Sequence, residues 1–211
     1  MEKILIAGAN GSTGRKITNL LKDSEAYHPI AMIRKSDQKS HFHELNVETV
    51  LADLTNDLSP LPGDIDKVIF AAGSGGEAVV EVDQEGAKKL IDWSRKNGIS
   101  KFVMLSSIGA DEPEKADQLQ EYLKAKHNAD EYLKQSGLPY TIVRPGSLTD
   151  EGGLNYIKLE KHLEEMGEIS RADVAKTLVE CLSDSIGKEQ TFEIIKGDTQ
   201  IEEALDKVTS K

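Results

Sequence analysis

Three glycines follow one another at three-residue spacing near the N-terminus, at positions 8, 11 and 14, directly after an apolar run at residues 4–7. Such a run is typical of a buried strand in a parallel sheet. From position 13 onwards, Ile17, Leu20 and Leu21 recur at helical spacing, which predicts an amphipathic helix. A strand, a glycine-rich turn and a helix in this order indicate a dinucleotide-binding unit.

Each glycine has its own purpose in such a unit. Gly8 suits a tight turn that needs positive φ, Gly11 lets a phosphate approach the backbone, and Gly14 lets the helix pack closely on the strand. The free N–H groups and the positive dipole end of the helix then attract a pyrophosphate. We therefore expect cofactor contacts from the whole turn, which comprises Gly8, Asn10, Gly11, Ser12, Thr13 and Gly14. The alternative is a glycine-rich turn that binds no ligand.

Apolar runs alternate with helical patterns along nearly all of the 211 residues, which predicts a parallel α/β sheet. Strands are predicted at residues 4–7, 28–34, 47–51, 67–72, 101–105, 140–144 and 191–195. Helices are predicted from residue 13 and at 39–45, 79–97, 118–135, 171–182 and 201–208. Residues 147–168 fit neither period.

No repeat or linker divides the chain, so we expect one domain with a small substrate-side portion from about residue 147. The predicted fold is a single Rossmann-type, doubly wound parallel sheet with helices on both faces. Right-handed crossovers give the strand order 3-2-1-4-5-6. Ligands of such a sheet bind at the carboxyl ends of its strands, near the switch between strands 1 and 4.

The composition of the chain limits the classes of binding partner that we expect. The net charge is −11 and no cluster of Lys and Arg stands out, so neither nucleic acid nor an anionic membrane is an expected partner. No apolar run is long enough to span a membrane, and the chain enters its first strand without a signal peptide. The single cysteine, Cys181, excludes an internal disulfide and fits a cytoplasmic location. The sequence is compatible with a homodimer but does not fix the oligomeric state.

Basic residues favour NADP over NAD. An NAD site places an acidic residue about 20 positions beyond the glycines, but here Arg34 stands there, with Lys35 beside it and Arg15 directly after the glycine motif. Guanidinium groups suit the dianionic 2′-phosphate of NADP. The alternative is that all three are solvated surface charges.

Asp53 and Leu54 come just past the third predicted strand. Asp53 either accepts a hydrogen bond from the adenine amino group or is a turn residue that needs no ligand.

Tyr122 and Lys126 are spaced to share one face of the helix predicted at 118–135. A neighbouring ammonium favours the phenolate of a tyrosine, which makes the pair suited to acid–base chemistry, and the lysine can also hold the nicotinamide ribose. Ser106 and Ser107, at the end of the fifth predicted strand, are positioned to polarise a substrate carbonyl. Tyr122 also continues an apolar stripe with Leu119, Ala129 and Leu133, so a packed tyrosine remains the alternative.

These motifs occur together in a set order. Beyond the glycines, the chain contains Ala71-Ala72-Gly73, Val82-Asp83-x-x-Gly86, Ser106-Ser107, Tyr122-x-x-x-Lys126, Arg144-Pro145-Gly146 and Ser170-Arg171-Ala172-Asp173-Val174. Over nearly its whole length the chain resembles the atypical short-chain dehydrogenase/reductases, in their NAD(P)H-binding, NmrA-like or epimerase/dehydratase branch.

The resemblance implies roles for several of these residues. It places Ala71, Ala72 and Gly73 against the cofactor and Pro145 and Gly146 near the nicotinamide. It gives Asp83 the active-site position at which many relatives carry Asn. The segment from Ser170 to Val174 is a family marker that we interpret as structural.

The function predicted from the sequence is an NADPH-dependent reductase of a small carbonyl-like acceptor. Tyr122 would donate the proton, with Lys126, Ser107 or Ser106, and Asp83 as the other catalytic residues. The alternatives are a non-catalytic NADP-binding sensor and an NAD(P)-dependent sugar epimerase or dehydratase, for which the portion after Gly146 is short. No metal is expected, because His41, His43, His127 and His162 lack the spacing of metal ligands.

Overall fold

A mostly parallel sheet forms the centre of the computed structural model, which describes residues 1–209. The strands are β1 (Glu2–Ala7), β2 (Tyr27–Ile33), β3 (Glu48–Leu51), β4 (Lys67–Phe70), β5 (Lys101–Leu105), β6 (Tyr140–Pro145), β7 (Ser147–Thr149), β8 (Tyr156–Glu160), β9 (Glu168–Ser170), β10 (Gln190–Lys196) and β11 (Thr199–Gln200). Within the described residues, nine strands pair in the order β11-β8-β10-β6-β5-β4-β1-β2-β3, and β7 pairs separately with β9.

The predicted strand order is confirmed, since β3, β2, β1, β4, β5 and β6 lie side by side and all run parallel. β10 continues the sheet parallel to β6, and β8 and β11 complete the far edge in antiparallel pairing. The unassigned stretch 147–168 therefore holds β7, β8 and the first residue of β9. β7 and β9 pair with each other, whereas β8 pairs with β10 and β11.

The helices are α1 (Ser12–Leu21), α2 (Lys39–Glu44), α3 (Ala87–Lys96), α4 (Gln120–Gln135), α5 (Arg171–Glu180) and α6 (Ile201–Thr209). Successive residues of a strand point to opposite faces. Ile4 and Ile6 of β1 accordingly join a core with α1, α5 and α6, whereas Leu5 and Ala7 join a second core with α3 and α4. The doubly wound fold with helices on both faces is confirmed.

One helix differs from its prediction. Residues 79–97 were expected to form a single helix, but Val79–Gly86 is π-helical and α3 begins only at Ala87. The wider turn places Asp83 inside the protein, where it is 1% exposed. A Cβ on Gly86 would lie 2.9 Å from the Cβ of Leu54, so this turn packs directly on the segment after β3.

None of the described helices is both long and apolar enough to cross a lipid bilayer. Cys181 follows α5 and is buried, and burial raises the pKa of its thiol to about 12. A thiol that is buried and has a raised pKa is typical of an unreactive, structural cysteine.

Candidate active site

A cleft of about 290 Å³ opens at the carboxyl ends of β1, β2 and β4, where the strand order predicts a ligand site. Its walls consist of residues from the glycine turn, the ends of β2 and β3, and the segment after β4. They are Gly8, Asn10, Gly11, Met32, Arg34, Gln38, Ala52, Asp53, Leu54, Ala71, Ala72, Gly73 and Val82.

Two of the three glycines are required by close backbone approach. Gly8 has φ +84°, and a Cβ there would lie 2.5 Å from the backbone nitrogen of Ala72. A Cβ on Gly14 would lie 2.1 Å from the carbonyl oxygen of Gly8. At Gly11 the same distance is 3.3 Å, so this position is less crowded by the protein and faces the cleft.

The N-terminus of α1 suits a phosphate. Gly11 is its N-cap, no described side chain caps it, and its first turn carries no acidic residue. Ser12 is exposed, whereas Thr13 and Gly14 are buried beneath it. Free N–H groups and the positive end of the helix dipole therefore remain available to an anion beside the cleft.

The basic residues occupy one end of the site. Arg34 lines the cleft, and the backbone N–H groups of Arg34 and Lys35 donate to Oε1 of Gln38 at 3.0 and 3.2 Å. Arg15 donates from Nε to the carbonyl oxygen of Asn10 at 3.1 Å and from Nη2 to Asn10 Oδ1 at 2.7 Å. Arg15 is thus bonded to the glycine turn, whereas Arg34 is exposed at the cleft.

Asp53 has a turn role and a place in the cleft at the same time. Its Oδ1 accepts hydrogen bonds from the backbone N–H and the hydroxyl of Thr55 at 2.9 and 2.8 Å. Asp53 and Leu54 both line the cleft. The turn role is therefore present in the structure, and a contact with adenine stays a prediction.

Asp83 links the cleft to Lys126. Its Oδ2 accepts from the backbone N–H and the hydroxyl of Ser74 at 3.0 and 2.8 Å. Its Oδ1 lies 3.1 Å from Nζ of Lys126 in an ion pair that lacks hydrogen-bond alignment. A Cβ on Gly73 would lie 3.3 Å from that same oxygen, so the pair adjoins the wall of the cleft.

Lys126 and Tyr122 lie together at this end of the site. The lysine is 3% exposed, and its Nζ lies 5.6 Å from the centroid of the Tyr122 ring. Nζ also donates to the carbonyl oxygen of Leu105 at 3.4 Å. The apolar stripe proposed for Tyr122 loses its first member, because Leu119 precedes α4 with φ +61° and is 69% exposed.

The two serines after β5 have different surroundings. Ser106 is buried and its hydroxyl donates to Oδ2 of Asp130 at 2.9 Å. Arg144 donates to the same oxygen from Nε at 3.0 Å, and burial raises the pKa of Asp130 while Arg144 opposes that shift. The Ser107 hydroxyl has one weak contact, to the carbonyl oxygen of Ile108 at 3.2 Å, and Ser107 is only partly buried. Of the two, Ser107 is the better placed to reach a ligand.

Pro145 ends β6 and Gly146 follows it, and neither belongs to the walls of the cleft. A Cβ on Gly146 would lie 2.2 Å from the carbonyl oxygen of Gly167, so this glycine is required by packing between two backbone segments.

Four cleft residues were not predicted: Met32, Gln38, Ala52 and Val82. Met32 lies in β2 shortly before Arg34, and Val82 directly precedes Asp83. The alternation of side chains along β2 and the Val82-Asp83 motif could therefore have indicated these two residues. No local pattern singles out Gln38.

Comparison with known proteins decides the family. A family model described as NAD(P)H-binding matches residues 8–185, which is most of the chain. The protein belongs to this NAD(P)H-binding family. The family expected from the motifs is confirmed, and membership of it supports a nicotinamide cofactor.

The chain is also similar to individual proteins. The chain is 38% identical to the uncharacterised sugar epimerase YhfK of Bacillus subtilis over 214 residues, which cover 98% of this chain and 100% of that protein. It is 33% identical to sanguinarine reductase of Eschscholzia californica over 130 residues, which cover 56% of this chain and 46% of that enzyme. A Bacillus halodurans structure of the NAD-dependent epimerase/dehydratase type is 36% identical and superposes with a TM-score of 0.94, over 98% of this chain and 100% of that one.

Proposed function

We propose that the protein is an NADPH-dependent reductase of the atypical short-chain dehydrogenase/reductase type that acts on a small carbonyl-like acceptor. The single observation that carries this proposal is the buried Lys126–Asp83 pair next to the Tyr122 ring, at the edge of the cofactor cleft. A lysine that is 3% exposed costs free energy to bury, and its position beside a tyrosine suits acid–base chemistry.

The cofactor would bind along the cleft through residues that the structure brings together. The N-terminus of α1 and Gly11 would hold the pyrophosphate. Arg34 would bind the 2′-phosphate, because it is the only cation among the described residues that line the cleft, and the acidic Asp53 already accepts from Thr55. Ala71, Ala72 and Gly73 would face the nicotinamide half.

When bound, the reduced nicotinamide supplies a hydride; the protein supplies the proton. The Tyr122 hydroxyl would donate it to the acceptor oxygen, and the Lys126 ammonium would stabilise the phenolate that remains. Asp83 keeps Lys126 in place through the 3.1 Å ion pair. Ser107 would orient the acceptor through its hydroxyl, whereas Ser106 supports the site indirectly through Asp130.

Tyr122→Phe tests the proposal. Against a panel of small aldehydes, quinones and iminium compounds, we expect kcat to fall by about 10²–10⁴-fold, because the proton donor is lost. The Kd for NADPH should stay within about twofold, because the phenyl ring remains. Tyr132→Phe on the same helix is the matched control, since its hydroxyl bonds to Asp92 and not to the site. Unchanged turnover in the Tyr122 variant would contradict the assignment.

The same experiment separates the alternatives. The similarity to YhfK favours a sugar epimerase as the second candidate, in which a bound cofactor is used transiently and is not consumed. An epimerase would convert a sugar substrate without net oxidation of NADPH. A sensor would bind NADPH and turn over none of the acceptors.

The cytoplasmic location that we infer rests on the single, buried Cys181.

A further inference from the structure

A second group of chemically reactive side chains lies outside the cofactor cleft. Asp111 follows β5, His162 follows β8, and Glu193 belongs to β10, yet their donor atoms all lie within 4.8 Å of one another. Nδ1 of His162 is 3.3 Å from Asp111 Oδ2 and 3.6 Å from Glu193 Oε2. Three separate segments therefore direct one donor atom each toward a common point.

Hydrogen bonding within the group does not account for this arrangement. An imidazole Nδ1 carries at most one proton, so it satisfies at most one of the two carboxylates that face it. The 3.6 Å contact is longer than a hydrogen bond. Glu193 is fully buried, and its Oε1 has no hydrogen-bond partner among the described residues. A buried carboxylate oxygen without a partner is costly unless a cation or donor binds there.

The charged side chains around this group favour the binding of a cation. The guanidinium of Arg144 lies close to the group, but its Nε and Nη2 both bind Oδ2 of Asp130 at 3.0 Å. Its Nη1 lies 3.8 Å from Asp111 Oδ1, beyond hydrogen-bond distance. Arg144 thus hydrogen-bonds to Asp130 and makes a longer ion pair with Asp111, while Asp111 and Glu193 bring two carboxylates to the group. One divalent cation would balance them.

We propose that Asp111, His162 and Glu193 form a binding site for a divalent transition metal of the zinc class. With metal–ligand distances of about 2.0–2.2 Å, tetrahedral geometry separates ligand atoms by roughly 3.3–3.6 Å. The observed separations from Nδ1 are 3.3 and 3.6 Å. An imidazole ligand selects transition metals over Mg²⁺ and Ca²⁺, and three protein ligands leave one position for water.

The site would hold the 161–167 segment in place against β10 and the loop after β5. Leu163, next to His162, packs with Ile108 and Ile195 in a small apolar cluster, and its backbone N–H donates to Glu193 Oε2 at 2.7 Å. Ile108 directly follows Ser107. A bound metal would therefore connect this segment to the loop that carries the predicted substrate-orienting serine.

Metal binding by the full-length, untagged protein tests the site. After removal of metals with a chelator, Zn²⁺ and Mn²⁺ are titrated by calorimetry in competition with a chromophoric chelator, and Mg²⁺ serves as the comparison ion. We expect one Zn²⁺ per chain and a loss of affinity of at least about tenfold in His162→Ala, because one of three ligands is removed. X-ray absorption of the zinc-loaded protein should show one imidazole nitrogen with oxygen ligands.

Matched variants distinguish specific metal binding at this site from adventitious binding at the protein surface. His43→Ala removes an exposed histidine on α2 and should leave zinc binding unchanged. Glu193→Gln should weaken binding as His162→Ala does; if it unfolds, as shown by circular dichroism, the exposed His162 still decides the question. The inference is overturned if zinc fails to bind, or if His162→Ala and His43→Ala bind it equally, which would indicate an adventitious ion only.

Discussion

In the proposed function, the choice between the two nicotinamide cofactors depends on Arg34. It lines the cleft at the end of β2, and its exposed guanidinium has room to turn toward a ligand. Arg15 is nearby but is already bonded to Asn10 through two nitrogens. Discrimination between NADPH and NADH should therefore come mainly from Arg34.

Replacing Arg34 with alanine is expected to raise the Kd for NADPH by about 10–100-fold, because charge-assisted hydrogen bonds to the 2′-phosphate are lost. The Kd for NADH should change little. Isothermal titration with both cofactors measures the difference, and Arg95→Ala on α3 is the control for loss of an exposed arginine. Equal affinity of the wild-type protein for both cofactors would contradict this role.

Gly14 is the position where the glycine turn tolerates least change. A Cβ there would lie 2.1 Å from the carbonyl oxygen of Gly8, a backbone atom that cannot rotate away. Gly14→Ala should lower the free energy of unfolding by at least about 2 kcal/mol, because α1 must move off β1. Denaturant titration measures the loss. Gly152→Ala, where nothing lies within 4 Å of the added Cβ, should stay within about 0.5 kcal/mol of the wild type.

At the scale of the element, the family marker before and within α5 has a structural explanation. Ser170 is the N-cap of α5, and its hydroxyl accepts from the N–H of Asp173 at 3.0 Å. The Asp173 carboxylate accepts from that hydroxyl and from the backbone N–H groups of Leu154 and Asn155, at 2.8, 3.0 and 2.7 Å. This one side chain therefore fixes both a helix start and the approach to β8.

Asp173→Ala should lower the free energy of unfolding by about 2–4 kcal/mol, because two backbone N–H groups lose their acceptor. Ser170→Ala should cost less, about 1 kcal/mol, because only the cap is removed. Denaturant titration ranks the two, with the exposed Asp117→Ala as the control for loss of a surface carboxylate. If Asp173→Ala is no more destabilising than Asp117→Ala, the marker has another role.

The sequence predicted some strands and helices more accurately than others. Strands β1 and β5 were predicted within a residue or two, because buried parallel strands are short apolar runs that end abruptly. Val79–Gly86 was predicted as α-helix, since its apolar spacing does not distinguish an α from a π turn. The choice depends on tertiary contacts, namely the packing of Gly86 on Leu54 and the pairing of Asp83 with Lys126.

At the scale of the whole molecule, the cofactor should stabilise the folded chain. The cleft draws its walls from β1, β2, β3 and β4, so it exists only in the folded state. At a free NADPH concentration of about 100 times Kd, linkage predicts a gain of about 2.7 kcal/mol. For a chain of this length the midpoint of thermal unfolding should rise by about 5–10 °C.

Differential scanning fluorimetry with NADPH, NADP, NADH and NAD measures this effect. The Arg34→Ala variant is the internal control, because its shift with NADPH should fall to that of NADH. If none of the four nucleotides changes the unfolding midpoint, the cofactor site proposed at the ends of β1 and β4 is contradicted.

The sequence by itself determined the βα unit with its three glycines, the order of the first six strands and the family. The βα unit follows from apolar periodicity and short-range spacing, which can be measured along a single segment. The strand order follows from the handedness of crossovers between parallel strands, and the family from the resemblance that the ordered motifs carry. Tertiary structure alone decided that Ser106 hydrogen-bonds to Asp130 and that Asp83 forms an ion pair with Lys126. It also decided that the donor atoms of Asp111, His162 and Glu193 lie close together. Each of these depends on residues at least 24 positions apart in the chain, and their distances are set only when the strands and helices that carry them pack together.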